Sequence, residues 1–184
     1  MAGDASLSDR FIELIDRMRY PAGGADGHMV REVRRLKARM EAERLPRGVD
    51  PSRHLKLGRG GLSDVEWTVQ LLQLQHGHAV AGLRTPSTLE ALDAAVTAGL
   101  LDPHDAETLR DAWLLASRLR DALVLWTGRP GGAMADVLPH DRRALTGLAR
   151  LVGGGRMLSG ADLEETYLRT ARRARAVVEH LFYD

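Results

Sequence analysis

Lys56-Leu57-Gly58-Arg59-Gly60-Gly61-Leu62-Ser63-Asp64-Val65-Glu66-Trp67 is a glycine-rich loop that runs straight into a helical pattern. Ser63 and Glu66 have the spacing of a capping box, in which the serine hydroxyl takes an orphan N–H and the glutamate reaches back to the serine N–H. The spacing predicts a helix over residues 64–78. At about 100° per residue, Val65, Val69, Leu72 and His76 share one side, while Trp67, Leu71 and Leu74 fall nearly opposite. Two apolar stripes predict a helix packed from two sides, hence a central one. Polar ribs run between them: Asp64, Thr68 and Gln75 on one, Glu66, Gln70 and Gln73 on the other.

Before this stretch, Phe11, Ile12, Leu14, Ile15 and Met18 keep helical spacing over residues 8–20, up to Pro21 and the Ala22-Gly23-Gly24 run. Asp26 is placed to cap a second helix that ends before Pro46. Met29, Val33, Leu36 and Met40 give that helix a narrow apolar stripe. Its other residues are charged, with Arg31, Arg34, Arg35, Lys37, Arg39 and Arg44 against Glu32, Glu41 and Glu43. Such a pattern reads as a solvated face with local ion pairs, or as a basic rib toward phosphate or an acidic partner. Residues 46–61 form a long, basic, glycine- and proline-containing loop, a kind of segment that often carries function.

Beyond the central helix, Ser87 and Glu90 open a short helix with Leu89, Leu92, Ala95 and Val96 inward and Gly99 after its end. Asp102-Pro103 starts a long helix that Gly128 stops, with Leu109, Trp113, Ala116, Leu119, Leu123 and Trp126 as its apolar positions. Leu138-Pro139 introduces a helix to Val152 with Leu145, Leu148 and Leu151 buried, and Gly153-Gly154-Gly155 breaks it. Ser159 caps a last helix to Tyr183, with Leu163, Tyr167, Leu168, Ala171, Ala174, Val178 and Leu181 inward and Arg169, Arg172, Arg173 and Arg175 mostly outside. No stretch alternates with period two. The expected fold is all-α, a bundle of about seven helices around the helix at 64–78.

Composition agrees. The chain has 184 residues, 44% hydrophobic but only 4% aromatic, so its core is aliphatic and favours helix. The absence of cysteine excludes disulfides and thiolate chemistry and fits a reducing cytoplasm. A net charge of +1 lacks the footprint of a nucleic-acid binder, and no run is apolar enough for a membrane span. Met1-Ala2-Gly3-Asp4 lacks the basic and apolar regions of a signal peptide.

The glycine loop invites a phosphate-binding reading, because backbone N–H groups at a helix start favour anions. A tight turn with close loop–helix packing reads equally well. It is neither a Walker A sequence, since the lysine precedes the glycines, nor a Rossmann fingerprint, since no strand precedes it. Asp64 and Glu66, two apart, point away from each other on a helix and cannot share a metal ion. His76 and His78 make a poor ligand pair for the same reason, and His76 reads as a core histidine. No Ser/His/Asp arrangement is identifiable from spacing.

Lys56-x-Gly58-x-Gly60-Gly61-Leu62-x-Asp64-Val65-Glu66-Trp67-x-x-Gln70 resembles the motif that follows the nucleotidyltransferase core in the glutamine synthetase adenylyltransferase family. The resemblance continues through Arg84-Thr85-Pro86, Arg120-Asp121-Ala122-Leu123, Gly128-Arg129 and Leu148-Ala149-Arg150-Leu151. It ends in Thr170-Ala171-Arg172-Arg173-Ala174-Arg175-Ala176-Val177-Val178-Glu179 and Leu181-Phe182-Tyr183, which looks like the family's C-terminus in high-GC Gram-positive (actinobacterial) members.

The resemblance implies that residues 1–184 are one helical domain following a nucleotidyltransferase core, in the half that attaches AMP from ATP to a tyrosine of glutamine synthetase. The other half of such enzymes removes AMP by phosphorolysis. The Gly-Ser and Asp-x-Asp that hold Mg²⁺ in such cores have no counterpart here: Gly160 and Asp162 do not fit, and no Gly-Ser pair occurs. The chain is therefore expected to carry no catalytic or metal residues, to bind neither ATP nor Mg²⁺ alone, and to be inactive by itself. Lys56, Gly58, Gly60, Gly61, Asp64 and Glu66 are its expected nucleotide-cleft or interdomain residues. Lys56 would counter phosphate charge, the Gly60-Gly61 turn would let backbone approach, and Asp64 would orient Lys56. The implied partners are the upstream nucleotidyltransferase domain and glutamine synthetase, and, for the full enzyme, the PII signal protein. Nucleic acid and membrane are not expected, and the implied location is the cytoplasm. The rival expectation is a free-standing helical interaction or regulatory module using the Arg31–Arg44 rib.

Overall fold

The computed structural model describes residues 4–132, 134–153 and 158–184. Among them it has seven α-helices: α1 (Ala5–Arg19), α2 (Gly27–Arg44), α3 (Leu62–His76), α4 (Thr88–Thr97), α5 (Pro103–Thr127), α6 (Arg142–Val152) and α7 (Gly160–Val178). A π-helical turn, Glu179–Tyr183, continues α7. No strand occurs among the described residues, only one antiparallel bridge between His54 and Val137. The all-α expectation holds.

Local chemistry places most helix ends. Asp26 accepts the Met29 N–H at the start of α2, and Asp102 accepts the His104 N–H ahead of Pro103 at the start of α5. Ser159 and Asp162 form a reciprocal capping box on α7. Gly128 ends α5 at a φ of 65°, in the left-handed region. Two starts differ from expectation. α6 begins at Arg142, because Asp141 rather than Leu138-Pro139 supplies the cap. α3 begins at Leu62 with Gly61 as its N-cap and no side-chain cap, so Ser63 and Glu66 form no capping box. Only Gly153 of the expected glycine break is among the described residues.

Two apolar clusters share the long helix α5. One joins Val65, Val69, Leu71 and Leu72 of α3 to Leu92 and Ala95 of α4, Leu109 and Ala112 of α5, and Val178 and Phe182 at the C-terminal end. The other joins Leu119 and Leu123 of α5 to Leu145 and Leu148 of α6, Leu163 and Tyr167 of α7, and Leu55 and Leu62 from the glycine loop. α3 thus contacts α4, α5 and α7, and of its two expected stripes Val65, Val69 and Leu72 of one and Leu71 of the other are buried.

The differences from the expected faces are informative. On α2 the buried residues are Val30 and Lys37, while Met29 and Leu36 are exposed. Trp126 and Leu151 are exposed, and Gly147 and Ala149 fill the α6 interface instead. Trp67 and His76 are only half-buried, so His76 is no core histidine.

Candidate functional site

Residues 51–61 leave a short 3₁₀ turn, cross the end of the second cluster and enter α3. Two backbone hydrogen bonds fasten this loop to residues 136–138: Leu55 N–H to Asp136 C=O at 2.7 Å, and Leu138 N–H to Arg53 C=O at 2.8 Å. The buried Arg53 side chain adds bonds to the carbonyls of Leu138 at 3.0 Å and Pro139 at 2.6 Å, and an ion pair with Glu164 of α7. His54 Nδ1 accepts the N–H groups of Lys56 and Leu57 at 3.3 and 3.1 Å. Burial pushes the His54 imidazole below its ordinary range, outweighing the opposing Asp136 charge.

The glycines are held by contact. Gly60 has a φ of +71°, and a Cβ there would lie 1.9 Å from the Ala171 carbonyl of α7. A Cβ on Gly58 would lie 2.1 Å from the Pro51 carbonyl. The loop therefore touches α7 backbone to backbone, which only glycine permits.

The N–H groups of its glycines, and of the two residues after them, are consumed internally. Gly58 donates to His54 C=O at 2.8 Å, Gly61 to Gly58 C=O at 2.9 Å, Leu62 to Leu55 C=O at 3.0 Å and Ser63 to Lys56 C=O at 2.9 Å. Gly60 donates to Asp64 Oδ2 at 2.7 Å. Donors already paired inside the fold do not fit a phosphate, so the loop lacks the open cradle its glycines suggest. Among the described residues, no group of three or more His, Asp or Glu is placed to hold a metal ion.

Asp64 is the centre of the arrangement. It is 2% exposed and faces Lys37 of α2, itself 1% exposed. Lys37 Nζ donates to Asp64 Oδ1 at 2.5 Å and also binds Glu41. Arg175 of α7 donates to Asp64 Oδ2 at 3.1 Å and to Glu179 at 2.8 Å. Lys37 lies 5.5 Å from the ring centroid of Phe182 and 5.6 Å from that of Tyr183, and the Arg175 guanidinium lies 5.4 Å from the latter. Burial pushes the Asp64 carboxyl up, but Lys37, the Gly60 N–H and Arg175 together hold it below the usual carboxylate range. Burial likewise opposes the charge on Lys37, yet Asp64 and Glu41 hold its ammonium above its ordinary value. Both carboxylate oxygens of Asp64 are engaged, so it is a structural tie among α2, α3, α7 and the C-terminal turn, not a free acid or base.

The expected site residues therefore separate. Gly58, Gly60, Gly61 and Asp64 come together and are buried, while Lys56 is exposed. The lysine of Asp64 is Lys37, not Lys56. Glu66 points elsewhere, as its two-residue offset requires, and accepts the Trp113 indole N–H at 3.3 Å. It borders a recess of about 310 Å³ lined also by Tyr20, Gln70, Gln73 and Thr85. Lys37 and Arg175 escaped the sequence reading. The signal for Lys37 was its seven-residue spacing from Val30, two turns along one face of α2.

Among the described residues the chain is a seven-helix fold whose glycine-rich loop is fastened to the central helix and to α7. The model of the GlnD PII-uridylyltransferase family matches residues 28–182, and the chain belongs to that family. It is also 59% identical over 183 residues to the bifunctional glutamine synthetase adenylyltransferase/adenylyl-removing enzyme of Streptomyces coelicolor, a match covering 100% of this chain and 18% of that enzyme. The like-named proteins of Nocardia farcinica and Mycobacterium tuberculosis (strain ATCC 25618 / H37Rv) are each 52% identical over 182 residues, which is 99% of this chain and 18% of theirs. The chain thus spans less than a fifth of the length of these relatives. No helix among the described residues is long and apolar enough to cross a membrane.

Proposed function

We propose that the chain is the helical domain that accompanies a nucleotidyltransferase core in a glutamine synthetase adenylyltransferase. The whole protein, on this reading, transfers AMP from ATP, with Mg²⁺, to a tyrosine of glutamine synthetase in the cytoplasm. The observation that carries it is the match at 59% identity across 100% of the chain. Chemistry falls to the upstream domain, and this chain alone transfers no adenylyl group. Its own residues position. The Gly58–Gly61 loop and the Asp64 tie fix α3 against α7, and exposed Lys56 stands at the loop rim, where it faces the adjoining domain. Of the two roles expected for the loop, nucleotide cleft or interdomain support, the paired N–H groups favour the second. Contacts of the full enzyme with glutamine synthetase and the PII signal protein extend this reading beyond the chain itself.

The test is a chimera in which this chain replaces the matching segment of the Streptomyces coelicolor enzyme. AMP incorporation into glutamine synthetase should approach that of the parent, and the isolated chain should give none. A chimera that is folded but inactive, or an isolated chain that is active after removal of contaminating enzyme, refutes the reading.

A further inference from the structure

α1 carries an apolar seam that the described residues leave uncovered. Leu7, Phe11, Leu14 and Met18 are 64%, 59%, 62% and 68% exposed. Their spacing of four, three and four residues puts them in one stripe, about 16 Å long. Helical geometry sets this stripe roughly at right angles to Ser8 and Ile15, which are half-buried. Arg10, Glu13 and Arg17 lie on another flank and are exposed, with an ion pair between Arg17 and Glu13 at 3.5 Å.

The helix is not a loose end. Tyr20, directly after it, is buried, and a Cβ on Gly77 would meet its ring at 2.4 Å. The guanidinium carbons of Arg19 and Arg84 lie 5.2 and 5.5 Å from that ring's centroid. Five residues after Tyr20 the Ala25 N–H donates to the Leu74 carbonyl at 2.9 Å. The exit of α1 is thus pinned to α3, and the seam is presented in a set direction.

α1 also lies outside the family's own unit, whose match begins at residue 28, yet the match to the longer Streptomyces protein covers the whole chain. A contiguous exposed apolar stripe marks an interaction surface. The candidate occupant is the polypeptide that makes up the other four-fifths and more of such proteins, of which this chain covers 18%.

We propose that the Leu7–Phe11–Leu14–Met18 face of α1 is the seam on which the adjoining nucleotidyltransferase domain seats. The proposal rests on the functional reading above, and its test is independent of activity. The chain has no cysteine, so Phe11→Cys and, as an exposed control on α4's end, Ala98→Cys each introduce one thiol. Labelling by a maleimide is followed by peptide mass spectrometry in the isolated chain and in the chimera with the Streptomyces enzyme. In the isolated chain both sites should react alike. In the chimera the thiol at position 11 should react at least about tenfold more slowly than in the isolated chain, with the control unchanged. Adding Leu14→Asp should restore its reactivity, while leaving the melting temperature of the isolated chain unchanged.

Equal reactivity at position 11 in chimera and isolated chain overturns the proposal. So does a slow thiol in the isolated chain together with a dimer by light scattering that Leu14→Asp dissolves, since the occupant is then a second copy. An inactive chimera with a protected thiol refutes the functional reading and leaves the seam standing. An active chimera with an unprotected one does the reverse.

Discussion

Replacing Asp64 by asparagine keeps the side chain's shape and removes its charge. The Gly60 N–H, 2.7 Å from Asp64 Oδ2, can still donate to an amide oxygen. What is lost is the counter-charge to Lys37 and Arg175. Lys37 is 1% exposed and cannot turn to water, although it retains Glu41. Arg175 retains Glu179 and is partly exposed, so its loss is smaller. Breaking a buried pair by removing one partner costs about 3–5 kcal/mol, and the remaining partners place this case near the lower figure. For a domain of this size each kcal/mol moves the melting temperature by about 2–4 °C, so a fall of about 6–12 °C is expected. Urea unfolding at pH 7 measures the cost directly. Adding Lys37→Met to Asp64→Asn should recover much of the loss, because the uncompensated ammonium is then gone. The pH dependence has a definite sign. A carboxyl held below its ordinary value of 3.8 adds stability that is present above that value and lost as pH falls through the folded pKa. The gap between wild type and Asp64→Asn should therefore narrow in acid. If Asp64→Asn stays within about 0.5 kcal/mol of wild type at pH 7, as an exposed substitution does, the buried tie is refuted.

Gly60→Ala combines a φ of +71° with a Cβ 1.9 Å from the Ala171 carbonyl, so α7 must shift; a loss above about 2 kcal/mol is expected in urea, and a neutral result contradicts the backbone contact. Lys56→Ala should change stability by less than about 0.5 kcal/mol, yet lower adenylylation by the chimera about tenfold or more if the lysine orients the adjoining domain. Normal turnover removes Lys56 from the site. His54, held below its ordinary value of 6.5, favours the neutral ring in the fold. Stability should be full above that pH and decline as pH falls toward the folded pKa, and His54→Gln should flatten that slope in melting curves taken between pH 7 and 5.

The helices with strong local punctuation were legible from sequence. Asp102-Pro103 and Gly128 bracket α5 because a capping carboxylate and a preset φ act together at its start and a left-handed residue acts at its end, each on the backbone beside it. The start of α3 was not legible in the same way. Ser63 and Glu66 satisfy the capping pattern, yet the buried contact of Gly60 with α7 carries the helix back to Leu62, and Glu66 is drawn to Trp113. Long-range packing there outweighs a cap worth about 1 kcal/mol.

Lys37 and Asp64 illustrate the same limit for function. Lys37 and Glu41, four apart on a helix crowded with charge, have the sequence signature of an exposed ion pair. Burial of Lys37 depends on Asp64 27 residues away and on Tyr183 146 residues away. Helical periodicity does place Asp64 and Thr68 on one rib, but period alone does not say whether a polar rib meets water or a cation. The burial of Gly58, Gly60 and Asp64 explains why this motif needs those residues without any ligand: two glycines admit neighbouring backbone, and one carboxylate neutralises two cations between three helices. Residues engaged in this way serve the geometry of α3, and the side chains free to meet another protein surface stand instead at Lys56 and along α1.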